Sequence, residues 1–332
     1  MSTLRRYILV IGCGSIGERH VRTFLATGRV GVVACDNRPT IRQDMISRYK
    51  VEAVSEWIPA LDNPAIAGVV IATPASSHVE IAIRCLEAGR HVLIEKPLSL
   101  SLADTDKLIA ARDRALRFAG VAYVLHFVPA LQAARQFIQA GSFGSVRHVA
   151  VNTGQHFPFF RPAYRDIYYS DRAQGGGAIQ DALTHMANAV EWIAGPTSRV
   201  FCDAAHQVLE GVTVEDTVNA TARNGGALVS YALTQFQAVN ETRWDFHAET
   251  GSVRVELNAQ RWGILARGET EWQWHNAPIA ERDQIYTAQA QAFLDGIEGR
   301  ANPLCTLEEG IQTLRFNLAA LRSWNENRPI IL

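Results

Sequence analysis

No apolar run in this sequence approaches the ~18 residues that a membrane-crossing helix needs, so a membrane-spanning class is not expected. An excess of one charge is missing too. The chain has 32 Lys and Arg against 33 Asp and Glu, a net charge of −1, and no global field draws it to nucleic acid or an anionic surface. Cysteine is sparse. Cys13, Cys35, Cys85, Cys202 and Cys305 form no C-x-x-C, and no histidine pair stands near them at metal-ligand spacing. In a chain of 332 residues that pattern reads as reduced thiols, with neither a disulfide framework nor a metal site expected. Residues 1–6 run directly into a strand-like Tyr7-Ile8-Leu9-Val10-Ile11, without the longer apolar stretch and cleavage site of a signal peptide. The expected address is the cytoplasm, and neither nucleic acid nor membrane is an expected partner. Internal repeats and low-complexity linkers are also lacking.

What is present suits a globular protein with a full core: 48% hydrophobic and 20% charged residues. The length predicts two domains. Up to residue 124, short strands that are apolar throughout (7–11, 31–35, 51–54, 68–72, 91–94, 118–123) alternate with helical patterns (16–27, 77–88, 102–116). Ser77 and Glu80 have capping-box spacing. Such alternation predicts an α/β, doubly wound parallel sheet covered on both faces. Residues 125–332 differ. Helices are expected at 130–140, from Gly177 to about 194, at 285–298 and at 307–325. Strands are expected at 146–153, 200–206, 217–223, 227–235 and 253–257, with Asn224-Gly225-Gly226 as a hairpin turn. This predicts an α+β domain with a large, mostly antiparallel open sheet, helices on one side and an apolar face covered by a second subunit on the other. The chain thus reads as a dinucleotide-binding Rossmann domain (1–124) and a catalytic, substrate and oligomerisation domain (125–332), assembled as a homodimer or homotetramer.

The first strand enters Gly12-Cys13-Gly14-Ser15-Ile16-Gly17, a G-x-G-x-x-G. Its glycines permit a tight turn, close approach of a pyrophosphate and close helix–strand packing. The anion would then rest on the amides of Ser15, Ile16 and Gly17 at a helix start. Asp36 lies 36 − 17 = 19 residues after the last glycine, the spacing of an acid that accepts from a ribose 2′-hydroxyl. NAD is therefore favoured over NADP, with Asn37 and Arg38 beside the ribose and Arg38 able to bridge a 2′-phosphate. Asp36 could instead cap the turn Asp36-Asn37-Arg38-Pro39.

Further on stand Ala72-Thr73-Pro74, His78 and His91-Val92-Leu93-Ile94-Glu95-Lys96-Pro97. Then come Tyr123, Phe127-Val128-Pro129, Gly175-Gly176-Gly177 with Asp181-x-x-x-His185, and Cys305-Thr306-Leu307-Glu308-Glu309-Gly310. In these motifs, and over essentially its whole length, the chain resembles the Gfo/Idh/MocA family, the glucose-fructose oxidoreductase and inositol dehydrogenase group. The resemblance implies that Lys96 of E-K-P lies beside the nicotinamide and the reacting hydroxyl, with a cis Lys96–Pro97 bond. It also places Thr73, Pro74, His78 and Glu95 around the cofactor, and Tyr123 and His126 near substrate. Many members have Arg or Asn at the position of His126, which leaves substrate contact or packing open. Lys96, Asp181 and His185 are the expected catalytic set. Asp181 and His185, four apart, share one face of a helix. The bland alternatives are an exposed lysine, a capping aspartate and a core histidine.

Between residues 156 and 169 six of 14 positions are aromatic, against 8% overall. With Gln155, Arg161, Arg165 and Tyr168 they form a candidate substrate wall, or else they pack the loop. The expected reaction moves a hydride between nicotinamide and a secondary alcohol or ketone of a sugar, sugar derivative or cyclitol. A reductase of another carbonyl or imine, and a catalytically inactive cofactor-binding regulator, are the alternatives.

Overall fold

A computed structural model describes residues 6–278, 282–300 and 304–332; the residues 1–5 that bear on the signal-peptide expectation lie outside them. The chain folds as β1 (Tyr7–Ile11), α1 (Ser15–Ala26), β2 (Gly31–Cys35), α2 (Pro39–Tyr49), β3 (Glu52–Val54), β4 (Ile66–Ile71), α3 (His78–Glu87), β5 (His91–Ile94), α4 (Thr105–Ala115) and β6 (Ala119–Val121). Then follow α5 (Pro129–Gln139), β7 (Val146–Gly154), the single turn α6 (Phe157–Phe160), α7 (Thr184–Ala194), β8 (Thr197–Ala205), β9 (Thr217–Asn224), β10 (Ala227–Thr234) and β11 (Glu241–Ala248). Last come β12 (Gly251–Glu256), β13 (Arg261–Ala266), β14 (Gln273–Asn276), α8 (Arg282–Ile297), β15 (Cys305–Thr306), α9 (Leu307–Glu326) and β16 (Ile330–Ile331). Two compact units result: Met1–Phe127 with Glu281–Ile311, and Val128–Ala280 with Gln312–Leu332. Among the described residues, no helix is long and apolar enough to cross a membrane.

In the first unit the sheet order is β15-β6-β5-β4-β1-β2-β3. Every pairing is parallel except β15 on β6. This is a Rossmann sheet whose order reverses between β1 and β4, the place where such sheets bind ligands at their carboxyl ends. Alternate residues serve opposite faces. Leu9, Ile11, Val69, Ile71, Val92 and Ile94 join Val79, Ala82 and Leu86 of α3 and Leu108 of α4 in one core. Ile8, Val10, Val70 and Leu93 join Val21 and Phe24 of α1, Met45 of α2 and Phe293 of α8 in the other. Burial on both faces is why these strands carry no polar alternation.

Two local expectations are corrected. Ser77 precedes α3 but caps nothing with its side chain: its hydroxyl donates back to Pro74 O at 2.8 Å and meets Thr73 Oγ1 at 2.8 Å, so the capping box does not form. A helix also occupies Pro39–Tyr49, where none was assigned. Only Met45 of α2 is buried, so its apolar signal is faint.

His91 links this sheet to pH. Its Nδ1 accepts from Phe118 N–H at 2.8 Å, which needs an unprotonated nitrogen. Burial, reinforced by Arg117 and Arg6, pushes its pKa from 6.5 down to about 4. The folded-state pKa is depressed, so the unfolded chain takes up the proton first. The stability this ring contributes is complete above about pH 6.5 and is lost as pH falls toward 4. A shift of that size is worth on the order of 3 kcal/mol at full burial, and about half that for a ring only partly shielded. Melting temperatures of wild type and His91→Asn between pH 7.5 and 4.5 are expected to diverge, the wild type falling more steeply. Parallel curves would contradict this account.

The second unit is built on a nine-stranded sheet, β14-β13-β12-β11-β7-β10-β9-β8-β16. All its pairings are antiparallel except β10 on β7. The hairpin expected at Gly225-Gly226 is present, with Asn224 paired to Ala227. Val149, Val151, Val229, Tyr231, Trp244, Phe246, Val253 and Val255 form the buried face, where Tyr231 meets Phe316 of α9 at 5.7 Å. On the other face His148, Asn152, Ser230, Arg243, Asp245, His247 and Arg254 stand in register. Arg254 and Arg243 grip Asp245 at 2.5 and 3.0 Å, and Arg254 lies over Trp272. Leu228, Ala232 and Ala150 share that face, so it is mixed and largely polar along β7, β11 and β12, not uniformly apolar as expected. Period-two alternation gives one face to the helices and leaves polar residues on the other, as antiparallel sheets commonly do.

Candidate active site

At the carboxyl edge of the first unit, Gly12 closes the β1–α1 turn at φ +83°. A Cβ there would lie 2.7 Å from Ala72 O, and one on Gly17 would strike Gly12 O at 1.8 Å. These two glycines are required by packing. Gly14 differs: a Cβ would meet only Arg38 Nη2, at 3.9 Å, so the backbone stays open to a ligand. Gly14 is also the N-cap of α1 and supplies no side-chain cap. An open glycine beside an uncapped helix start, with Ser15 exposed and Ile16 half-buried, fits a pyrophosphate.

Asp36 ends β2 with its carboxylate buried and crowded by donors. Oδ1 accepts from Arg38 N and Nε, both at 2.9 Å; Oδ2 accepts from Cys13 N at 2.9 Å and Arg38 Nη2 at 2.8 Å. Burial raises its pKa, but the Arg38 and Cys13 hydrogen bonds and the Arg38 charge outweigh it and hold the carboxyl at about 2. Arg42 Nη1 donates to Asp36 O at 2.8 Å. Asn37 and Arg38 are exposed. The sequence expectation of an acid waiting for a ribose is thus qualified. All four acceptor positions of Asp36 are already used, and the exposed Arg38 is the member able to release one.

Along the same edge, His78 is buried between two carbonyls, Thr73 O at 2.8 Å from Nε2 and Pro97 O at 3.1 Å from Nδ1. Burial pushes its pKa down, so the ring is neutral and donates through one nitrogen at a time. Its ring therefore tethers the Thr73-Pro74 and Pro97 loops and is turned away from solvent. Glu95 is buried as well. Its Oε1 accepts from His20 Nε2 at 2.7 Å and its Oε2 from Lys96 N at 3.0 Å. Lys96 follows, half-buried, before a cis bond to Pro97. Tyr123 and His126 are buried, at 1% and 0% exposed. His20 was missed by the sequence reading. The available signal was a histidine on the buried face of α1, between Gly17 and Phe24.

In the second unit, Ile179–Leu183 forms a π turn that leads into α7. The sequence had predicted an ordinary helix. A π turn winds more residues into each revolution than the 3.6 of an α-helix, so Asp181 and His185 line up more closely along the axis. Asp181 is 3% exposed. Tyr168 donates to its Oδ1 at 2.5 Å and Arg161 Nη1 to its Oδ2 at 3.3 Å. The structure thus brings together Arg161, Tyr168 and Asp181, one turn before His185. Arg165 goes elsewhere, to Glu210 O at 2.8 Å. Gln155 is half-buried at the end of β7, its N–H bonded to Thr234 O. The aromatic loop divides: Phe157, Tyr164 and Tyr169 pack with Leu209, Val212 and Val214, whereas Phe159, Phe160 and Tyr168 are exposed. Glu215 was also missed. It is fully buried, accepts from Ile179 N at 3.1 Å and pairs with Arg172 at 3.1 Å, so it anchors the start of the Asp181 segment. Burial pushes its carboxyl up, against those two donors.

Residues 6–123 match the oxidoreductase family with an NAD-binding Rossmann fold, GFO_IDH_MocA, and residues 131–254 match the GFO/IDH/MocA C-terminal domain. The chain is 26% identical over 269 residues to a 1,5-anhydro-D-fructose reductase of Ensifer adhaerens, covering 79% of this chain and 78% of that one. It is 23% identical to an inositol 2-dehydrogenase of Rhizobium meliloti (strain 1021), covering 97% of each. With some other curated relatives the alignment takes in only about half of the partner, 46% and 52% in two cases. Among solved structures, a levoglucosan dehydrogenase in complex with NADH and levoglucosan superposes with a TM-score of 0.88 over 98% of this chain and 99% of that one, at 20% identity, and so shows the same fold. Both domain models, in order and over most of the length, place the chain in the Gfo/Idh/MocA family of NAD-binding oxidoreductases.

Proposed function

We propose that the protein is an NAD-linked dehydrogenase acting on a secondary alcohol, or in reverse a ketone, of a sugar, sugar derivative or cyclitol. The observation that carries this reading is the Asp181 carboxylate, buried yet held by Tyr168 and Arg161 one turn before His185. A carboxylate so fixed can hold an imidazole in one tautomer and stabilise the imidazolium that forms, the arrangement of a general base supported by a third group. The names of the relatives, acting on anhydrofructose, inositol and levoglucosan, support the substrate class. When bound, the dinucleotide supplies the hydride acceptor or donor. The chain supplies the rest. His185 takes the hydroxyl proton, the usual part of an imidazole in general base catalysis. Lys96 donates to the same oxygen and stabilises developing alkoxide. The test is a screen of sugars, glycosides, cyclitols and sugar acids with NAD⁺ and NADP⁺, followed at the reduced-nicotinamide absorbance. Turnover on none of these classes would refute the reading.

In this proposal Gly12, Gly14, Ser15, Ile16 and Gly17 seat the pyrophosphate and Asp36 takes the ribose. Because Arg38 occupies Asp36, the two residues are expected to act in opposition. Arg38→Ala frees the carboxylate for a 2′-hydroxyl and removes a cation beside a 2′-phosphate, so the preference for NAD⁺ should rise. Asp36→Ala releases Arg38 toward a phosphate, and the preference should narrow or invert, by about tenfold or more for one charge-assisted contact. Titration of NADH and NADPH fluorescence measures both; shifts of the same sign would contradict the opposition.

We further infer a homo-oligomer, dimer or tetramer, acting in the cytoplasm. A nine-stranded sheet with helices on one side leaves the opposite face to be covered by a symmetry mate, and Leu228 and Ile331 are exposed there at 47% and 82%. Since the face is charged, the association should weaken in salt. A monomer by light scattering at micromolar concentration and low salt would sink this inference.

A further inference from the structure

The chemical step proposed above does not use His20, a buried histidine on α1. His20 lies three residues after Gly17 on α1 and is 1% exposed. Its ring is packed edge-on to Tyr286, with centroids 6.2 Å apart, and lies against Phe24 at 6.3 Å. The polar contact of this ring is the 2.7 Å bond from Nε2 to Glu95 Oε1. Glu95 is 5% exposed, and its other oxygen accepts the backbone N–H of Lys96 at 3.0 Å. One residue further on, His78 faces the Pro97 carbonyl at 3.1 Å. The backbone from which the Lys96 side chain springs is thus pinned on both sides, by His20 through Glu95 and by His78 through Pro97.

A carboxylate this deep is costly unless donors satisfy it, and a half-satisfied buried network is worse than none. Without the His20 donor, Glu95 would carry an unpaired oxygen in an apolar pocket. It would turn toward other donors or toward water, and its hold on Lys96 N–H would be lost. We propose that His20 is a positioning residue for Lys96, acting through the Glu95 carboxylate to fix the backbone that aims the amine. The inference rests on the reading of Lys96 as the group that donates to the reacting oxygen. It adds that α1, the helix whose start fits the pyrophosphate, also sets the place of that amine. Misplacement of a reacting group by about 1 Å costs on the order of 10²-fold in rate, so a role that leaves no mark on kcat is excluded by the proposal.

The test uses His20→Gln, whose amide nitrogen reaches the place of Nε2, and His20→Asn, whose amide reaches only that of Nδ1. Both are polar and of similar size, so a general loss of packing affects them alike. Three quantities are measured: kcat and KM on the substrate found by the screen, NADH affinity by fluorescence, and the rate at which an amine-reactive reagent labels Lys96 in cofactor-free protein, read by mass spectrometry. His20→Asn is expected to lower kcat by about 10- to 100-fold with NADH affinity changed less than about threefold, and to alter the Lys96 labelling rate. His20→Gln should recover most of both. In a Lys96→Ala background the further effect of His20→Asn on residual turnover should largely vanish, because it acts through the missing amine.

Wild-type kcat and labelling in folded His20→Asn would overturn the proposal, as would equal impairment of the Gln and Asn variants, or a full His20→Asn effect in the Lys96→Ala background. Failure of the underlying reading looks different. There, Lys96→Ala alone would turn over normally, while the labelling comparison on the cofactor-free protein would still report whether His20 governs Lys96.

Discussion

Alanine in place of either Lys96 or His185 is expected to lower kcat by ~10²–10⁴-fold, the range that positioned acid–base groups supply, while NADH affinity stays within a few-fold of wild type. The reason is chemical. A carbinol is far too weak an acid to lose its proton at neutral pH unaided, and hydride cannot leave unless that proton leaves with it. Both residues are proposed to act on one oxygen, so the two losses should be markedly non-additive in the double variant. Asp181→Asn should be milder but should move the pH–rate profile, since an amide cannot stabilise an imidazolium as a carboxylate does. Tyr168→Phe removes the 2.5 Å donor to Asp181 and should therefore reduce kcat, whereas a pure substrate-wall residue would change KM alone. Steady-state kinetics and NADH fluorescence titration separate these cases. Near-normal turnover in either alanine variant would remove that residue from the mechanism.

The second large effect is expected at Gly12. The residue sits at φ +83°, and an added Cβ would approach Ala72 O to 2.7 Å, Ala72 C to 2.9 Å and Thr73 N to 3.0 Å. All three are backbone atoms of the chain leaving β4, so no side-chain rotation relieves the contact. The left-handed conformation alone costs an L-residue roughly 1–2 kcal/mol, and the overlap forces β1 and β4 apart at the point where the sheet order reverses. Gly12→Ala should lower the melting temperature by several degrees and weaken NADH binding at least tenfold. Gly14→Ala is the control. Its Cβ meets only the end of the Arg38 side chain, so the fold should survive and only cofactor affinity should fall. A Gly12→Ala protein with wild-type melting and NADH affinity would show that the turn is less constrained than its geometry implies.

Much of the fold is legible in the sequence. The strands of the first unit are apolar on both sides because both faces are buried, and that pattern alone separates a doubly wound sheet from a meander. The β9–β10 hairpin was legible because two glycines leave few other conformations open. Short signals with mixed causes did worse. Ser77 and Glu80 have capping-box spacing, but the hydroxyl had a nearer acceptor in Pro74 O. The helix over Pro39–Tyr49 buries one residue and leaves almost no periodic trace. The open face of the large sheet was expected to be apolar because its width suggested a covered surface; the alternation along β7 and β11 puts His148, Asn152, Arg243, Asp245 and His247 there, beside Leu228 and Ala232 of β10.

By itself the sequence determined the class of the molecule and pointed to the residues proposed for its reacting centre, since glycine spacing, E-K-P and D-x-x-x-H are local and survive being read one position at a time. What only the tertiary structure decided is who holds whom. Asp36 was visible as an acid at the end of a strand, but not as an acid whose four acceptor positions are already filled by Arg38 and Cys13. Arg161 and Tyr168 read as substrate contacts, yet they close on Asp181, 20 and 13 residues away along the chain. His20 and Glu95 are 75 residues apart and bond at 2.7 Å. Such pairings depend on which buried polar groups the fold brings within reach of one another. Their energy comes from satisfying groups cut off from water, a condition that does not exist until the chain has packed.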